Sequence, residues 1–293
     1  MSRVCVIGGS GFLGSHVADA LTAADQEVTI FDRIVSPWLQ TTQDRVVGDI
    51  LDLEALGRAV SGAEFVYNFA ALADLNLALN KPLETVSINV LGNANVLEVC
   101  KRFKVKRFVY ASTVYVHSRE GGFYRCSKQA AESYVEEYQR AYGLDYTILR
   151  FGSLYGPRAD VGNGLYRMVK RILQTGELRY EGSADAMREY IHVTDAASAS
   201  VAILSDSFCN QSVVLTGQEP MRVVDLLGMV GEILGLQKSV ELVVGEQPGH
   251  YIRTPYAYQA KIGRKYIPPV HVDLGQGLLE LISQVSDELC GNQ

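Results

Sequence analysis

The sequence predicts an α/β protein: an open, doubly wound parallel sheet with a smaller C-terminal lobe. Three observations carry this. Strand-like and helix-like stretches alternate through the first half of the chain. A glycine-rich turn, Gly8 to Gly14, sits at the first strand-to-helix crossing. Beyond Pro157 the alternation fades, and glycine and proline become frequent over 245–269.

The elements follow in order. A β-rich run at 3–7 leads into the glycine turn and a helical stretch at 12–23. Strands are predicted at 27–31 and 44–48, then a helix over 52–60 with Asp52 as its N-cap. A strand at 65–69 precedes a long helical pattern over 82–104, with Pro82 near its start, where a missing N–H costs nothing. A strand at 107–111 leads to a helix over 124–142, closed by Gly143, and a strand at 146–150. Strands separated by helices imply a parallel sheet covered on both faces, with right-handed crossovers.

Bulk properties exclude several classes. With 293 residues, 47% hydrophobic and 20% charged, the chain can bury a large core. A net charge of −6 and no long basic run argue against a nucleic-acid partner. Apolar stretches such as 109–116 fall far short of the roughly 20 residues of a membrane span. Met1-Ser2-Arg3 runs straight into a strand, so no signal peptide is expected and the cytoplasm is the expected location. Cys5, Cys100, Cys126, Cys209 and Cys290 show no paired spacing and read as reduced thiols. His16, His117, His192, His250 and His271 show no ligand spacing, so no metal is expected.

The glycine turn satisfies G-x-G-x-x-G from Gly9 and G-x-x-G-x-x-G from Gly8. Glycine lets backbone N–H groups approach a pyrophosphate at a helix N-terminus. Asp32 ends the second strand, where a carboxylate meets the adenosine ribose hydroxyls of a dinucleotide. Such a carboxylate repels a 2′-phosphate and favours NAD, although the adjacent Arg33 could receive that phosphate. A Rossmann-type dinucleotide domain is therefore expected over 1–157 and about 190–216. The smaller lobe takes about 158–189 and 217–293.

Tyr124 and Lys128 stand four apart on one predicted helix and share a face. A phenol is a poor base at neutral pH until a neighbouring ammonium favours the phenolate. Ser112 and Thr113 fall at the carboxyl end of the preceding strand, where open α/β sheets bind ligands. Hydroxyl, phenol and ammonium together can move a proton and a hydride at a carbinol.

With these motifs in this order, the chain resembles the extended short-chain dehydrogenase/reductases, specifically the nucleotide-sugar epimerase/dehydratase family. Further segments carry the resemblance: Gly48-Asp49-Ile50, Asn68-Phe69-Ala70-Ala71, the helix from Pro82 through Asn89 to Glu98, Tyr110-Ala111-Ser112-Thr113, Tyr155-Gly156-Pro157-Arg158, and Arg188 to Asp195. The resemblance implies cofactor contacts at Gly8, Gly11, Phe12, Leu13, Asp32, Arg33, Asp49, Ile50, Phe69, Ala70, Ala71, Asn89, Tyr124 and Lys128. It implies catalysis by Thr113, Tyr124 and Lys128. Substrate contacts are expected at Ser112, Thr113, Ser153, Asn163, Arg188 and Arg253.

The chain also departs from that family. Ser153 stands where the family commonly has Asn, and the interval from Thr113 to Tyr124 is short. The family's dehydratases carry Asp-Glu just after the catalytic Thr, and its decarboxylases tend to carry Glu. Here Val114 and Tyr115 fill those places, and Glu120 is the nearest carboxylate in sequence. The expected function is thus NAD-dependent epimerisation of a nucleoside-diphosphate sugar at C4. A dehydratase, an NAD(P)-dependent reductase and a non-catalytic NAD-binding sensor stay open beside it. Tyr134, Tyr138 and Tyr142 recur every four residues and suggest a packed helix face. A homodimer is expected through the two long helices.

Overall fold

The structure is a computed structural model and describes residues 1–236, 240–243, 264–266 and 268–290. Its first half comprises β1 (Arg3–Ile7), α1 (Phe12–Ala23), β2 (Glu27–Asp32), β3 (Asp44–Val47), α2 (Leu53–Val60), β4 (Phe65–Asn68), α3 (Leu75–Asn80), α4 (Pro82–Val86), α5 (Asn93–Phe103), β5 (Arg107–Thr113), α6 (Gly122–Tyr142) and β6 (Asp145–Phe151). The second half adds β7 (Ser153–Tyr155), α7 (Gly164–Thr175), β8 (Arg179–Glu181), β9 (Met187–Arg188), β10 (Tyr190–His192), α8 (Val193–Ala202) and β11 (Gln211–Leu215). It ends with β12 (Met221–Arg222), α9 (Val223–Ile233), β13 (Glu241–Val243), β14 (Arg264–Lys265) and α10 (Leu274–Cys290).

One sheet organises the chain, in the order β14-β11-β6-β5-β4-β1-β2-β3. All its pairings are parallel. From β1 the chain steps outward through β2 and β3, then returns to β1's other side as β4. The connections leaving the carboxyl ends of β1 and β4 therefore run to opposite sides, which makes the switch point where open α/β sheets take ligands.

The strands read as nearly unbroken apolar runs because both faces are buried. Side chains alternate between faces, as a period of two requires. Cys5 and Ile7 join Leu56, Val96, Leu97, Ala131 and Val135 in one core, under α2, α5 and α6. Val4 and Val6 join Val17, Leu21, Ala196 and Ala199 in the other, under α1 and α8. A third core unites α7, α9 and α10 through Val169, Ile172, Leu226, Leu227, Leu278 and Leu281. No helix among the described residues is long and apolar enough to cross a membrane.

The expected elements stand within a few residues, and Asp52 does cap α2, accepting from the N–H groups of Glu54 and Ala55. The long helix over 82–104 differs. α3 precedes it, and residues Ser87–Gly92 form a π-helical stretch between α4 and α5. The wide turn turns Asn89 inward. Its side-chain oxygen accepts from Leu72 N at 2.7 Å, and its amide donates to Leu72 O at 3.1 Å and Ser127 Oγ at 2.9 Å. Gly92 lies so close to Ile50 that a Cβ would sit 2.7 Å from its side chain. β5 also runs two residues further than expected, to Thr113, and α6 begins two residues before Tyr124.

Candidate functional site

The glycine turn lies at the switch point between β1 and β4. Gly8 has φ +79°, and a Cβ there would lie 2.5 Å from Ala70 N. The turn thus presses against the end of β4 in a conformation open to glycine. A Cβ at Gly14 would lie 2.2 Å from Gly8 O. Gly11 differs: it is exposed, and a Cβ would meet only Gly8 O at an ordinary 3.4 Å. Two of the glycines are needed by the protein itself. The third leaves open the space before the helix N-terminus. Gly11 caps α1 without a side chain, and the ladder begins with Ser15 N to Gly11 O. The N–H groups of Phe12 and Leu13 precede that ladder and suit an anion.

Asp32 stands beside this turn. Its carboxylate accepts from Ser10 N at 3.0 Å and Arg33 N at 2.7 Å, which ties the end of β2 to the glycines. The Arg33 side chain is exposed. Asp49 is exposed and accepts from Leu51 N, while Ile50 is buried under Gly92. Phe69, Ala70 and Ala71 follow β4 half-buried. Asn89 was expected to contact cofactor, but it is 2% exposed and both its amide hydrogens are used within the protein. It holds the segment after Ala71 in place instead.

Thr113, Tyr124 and Lys128 converge. The Thr113 hydroxyl is hydrogen-bonded to the Tyr124 phenol. Lys128 Nζ lies 5.8 Å from the centre of the Tyr124 ring and 4.7 Å from that of Tyr110. It donates to Ala111 O at 2.6 Å. Burial pushes the Tyr124 phenol up to about 12, against a lowering by the Thr113 bond. Burial pulls the Lys128 amine down to about 7, against a raising by Glu132. Ser112 was expected at the substrate, yet its hydroxyl donates to Glu132 on the opposite side. Neighbouring strand residues face opposite ways, so Thr113 and Ser112 cannot share the cleft.

Thr113 and Tyr124 open into a cleft of about 680 Å³ between the sheet and the third core. Ser153 and Arg188, two of the residues expected at the substrate, line it. Asn163 lines it too, but its amide caps α7 through Tyr166 N and donates to Leu154 O at 2.7 Å. Arg253 and His250 lie outside the described residues. The sequence reading missed Arg167, Arg171, Arg179, Tyr115 and Asp74 in the cleft. Arg167 and Arg171 are four apart on α7, a spacing that could have marked a basic helix face. Glu120 is exposed and absent from the lining, so Asp74 is the carboxylate that reaches the cleft. It caps α3 through Leu77 N and pairs with Arg167 at 3.3 Å.

The glycine geometry makes a stability prediction. Gly14→Ala should cost about 1–3 kcal/mol through overpacking, whereas Gly11→Ala should lose only the smaller preference of an N-cap for glycine over alanine, about 0.5–1 kcal/mol. Urea unfolding of the protein without ligand checks this, and equal losses would contradict it.

A model of the NAD-dependent epimerase/dehydratase family matches residues 4–215. A putative UDP-glucose 4-epimerase of Methanocaldococcus jannaschii is 27% identical over 69% of this chain and 73% of its own length. A dTDP-glucose 4,6-dehydratase of Mycolicibacterium smegmatis is 26% identical over 96% of this chain and 92% of its own. Among solved structures, the Thermus thermophilus UDP-glucose 4-epimerase in complex with NAD superposes with a TM-score of 0.82. It shares 26% identity and covers 97% of this chain and 99% of its own. One fold thus serves an epimerase and a dehydratase, and the choice of reaction has to come from the site. With the match spanning well over half of its length, this chain belongs to the NAD-dependent epimerase/dehydratase family.

Proposed function

We propose that this protein is a nucleotide-sugar epimerase, inverting C4 of a nucleoside-diphosphate hexose or its uronate through a transient 4-keto intermediate. One observation carries the choice. Among the described residues lining the cleft, Asp74 is the sole carboxylate, and Arg167 and Leu77 N already hold it. Dehydration and decarboxylation in the resembling family use carboxylates after the catalytic Thr, where this chain has Val114 and Tyr115. Inversion at C4 needs a single proton-transfer group, and Tyr124 supplies it.

The residues present fit a bound NAD. The open space at Gly11, with Phe12 and Leu13 behind it, suits the pyrophosphate, and Asp32 suits the adenosine ribose. Gly8 holds the turn against β4; Asp49 and Ile50 suit the adenine, and Phe69, Ala70 and Ala71 suit the path between. When bound, NAD supplies a reversible hydride acceptor for C4. Tyr124 accepts the O4 proton and returns it. Thr113 hydrogen-bonds the reacting hydroxyl, and Lys128 lends positive charge beside the phenol. Arg188, with Arg171 and Arg179, suits the substrate's diphosphate, and Ser153 the sugar. We read the layer of α7, α9 and α10 as the substrate lobe.

Turnover tests the reaction. A screen of nucleoside-diphosphate sugars in deuterated water should give C4 epimers with no deuterium on carbon. Deuterium at C6 with loss of water would mark a dehydratase, and net consumption of NAD(P)H a reductase. Tyr124→Phe should lower kcat by about 10²–10⁴-fold, with NAD still retained on the protein by mass spectrometry.

Asp32 sets the cofactor preference in this reading, because a buried 2′-phosphate beside a carboxylate sets like charge against like. NAD should bind more tightly than NADP, and Asp32→Ala should narrow the gap. Binding titrations in which NADP binds the unmodified protein more tightly would overturn it.

The assembly we propose is a homodimer through α4, α5 and α6. Leu83, Val86, Leu91 and Tyr134 on this face are 83%, 52%, 53% and 49% exposed. A two-fold dimer would cover them. Light scattering at micromolar concentration should show a dimer, and monomer alone would refute the assignment.

A further inference from the structure

A buried charge that the proposed reaction does not use lies behind Tyr124 and Lys128. Glu132 follows Lys128 by four residues, so Tyr124, Lys128 and Glu132 stack on one face of α6 at successive turns. Glu132 is 7% exposed. Arg150, 3% exposed, grips both carboxylate oxygens, through Nε at 3.0 Å and Nη2 at 2.6 Å. Ser112 donates its hydroxyl to the same group. One carboxylate therefore joins the helix that carries Tyr124 and Lys128, the strand end that carries Thr113, and β6.

Among the described residues, few charged or titratable groups face Lys128. Tyr124 and Glu132 share its helix, and the Tyr110 ring packs on it from β5. Arg150 from β6 and His117 from the turn after β5 reach it through Glu132. Glu132 is the one carboxylate in this set. Burial acts to strip the proton from Lys128, and the Glu132 charge acts to keep it. A neutral amine cannot favour a phenolate.

We propose that Glu132 is a positioning residue: held by Arg150 and Ser112, its carboxylate keeps Lys128 in the ammonium form beside Tyr124. The importance of that charge for turnover rests on the epimerase reading above, but the charge itself can be read without turnover. The sign is fixed. Without the negative neighbour, the amine loses its proton at lower pH, by about one unit or more for a close opposite charge.

The test uses the full-length protein, with Glu132→Gln and Ser112→Ala as variants. Competitive labelling with acetic anhydride from mildly acidic to alkaline pH, read by mass spectrometry, gives the Lys128 titration midpoint. Lys170 serves as an internal reference. Glu132→Gln should lower the Lys128 midpoint by about one unit or more, whereas Ser112→Ala, which leaves the carboxylate charge held by Arg150, should move it less. An unchanged midpoint in folded Glu132→Gln would overturn the proposal. If that variant fails to fold, Glu132→Gln combined with Arg150→Gln, which leaves neither charge buried alone, decides: a lowered midpoint supports the proposal and an unchanged one overturns it. Labelling reads the amine whether or not a sugar turns over, so failure of the epimerase reading leaves this result intact. Where the enzyme is active, the alkaline limb of the kcat profile should move down with the midpoint. A bracing role alone would lower activity at every pH without moving the limb.

Discussion

A buried ion pair holds the cluster of Thr113, Tyr124 and Lys128 together. Taking Glu132 and Arg150 out of water costs several kcal/mol per ion, offset only when the remaining hydrogen-bonding capacity is satisfied. Here the arginine spans both carboxylate oxygens and Ser112 adds a third bond. Removing one partner of such a pair typically costs about 3–5 kcal/mol, since the other charge is left buried alone. The pair thus fixes α6 against β5 and β6 and gives Thr113, Tyr124 and Lys128 a common frame. Asn89 repeats the logic on the cofactor side. Its amide binds Leu72 and Ser127, and Ser127 in turn donates to Tyr124 O at 2.8 Å. The loop after β4 and the first turn of α6 are held by one side chain.

What the sequence made legible is local. The glycine turn, Asp32 at the end of β2 and the Tyr124–Lys128 spacing depend on residues close in the chain or in register with it. The sheet followed from alternation, because buried parallel strands and amphipathic helices have different periods. Parity was harder. Ending β5 at Ala111 hid that Ser112 and Thr113 are both strand residues and face opposite ways. The family resemblance puts Asn89 at the cofactor; the π-helical stretch that turns it inward has no simple sequence period. Asn163 read equally as a residue reaching substrate or as a surface loop residue; an Asn before a helix is also a good cap, and α7 uses it so.

The second lobe was the least legible, for a physical reason. Its strands are two or three residues long and pair in separate two-stranded sheets. Such pairs have no period of their own and are held by the third core, whose members lie up to 130 residues apart, from Tyr155 to Val285. The cleft's arginines come from α7, β8 and β9, so no single segment announces a basic site. On the proposed reading, selectivity would belong to this lobe for the same reason: its loops can change without disturbing the sheet, while the glycine turn is tied by the Gly8–Ala70 approach.

The electrostatics of the site show what a ligand has to bring. Burial raises the Tyr124 phenol to about 12 and lowers the Lys128 amine to about 7. Both shifts have one origin, a surrounding that resists charge, and both oppose a phenolate–ammonium pair. The protein answers with two groups of its own: the Thr113 hydroxyl, which favours the phenolate, and the Glu132 carboxylate, which favours the ammonium. Neither reaches the phenol with a full positive charge. A cationic ring bound beside Tyr124 would supply the remaining assistance. An oxidised nicotinamide carries that charge and its reduced form does not. With such a ring bound, Tyr124 would be a better base while the ring is oxidised and a better acid once it is reduced, which is the order the proposed epimerisation calls for.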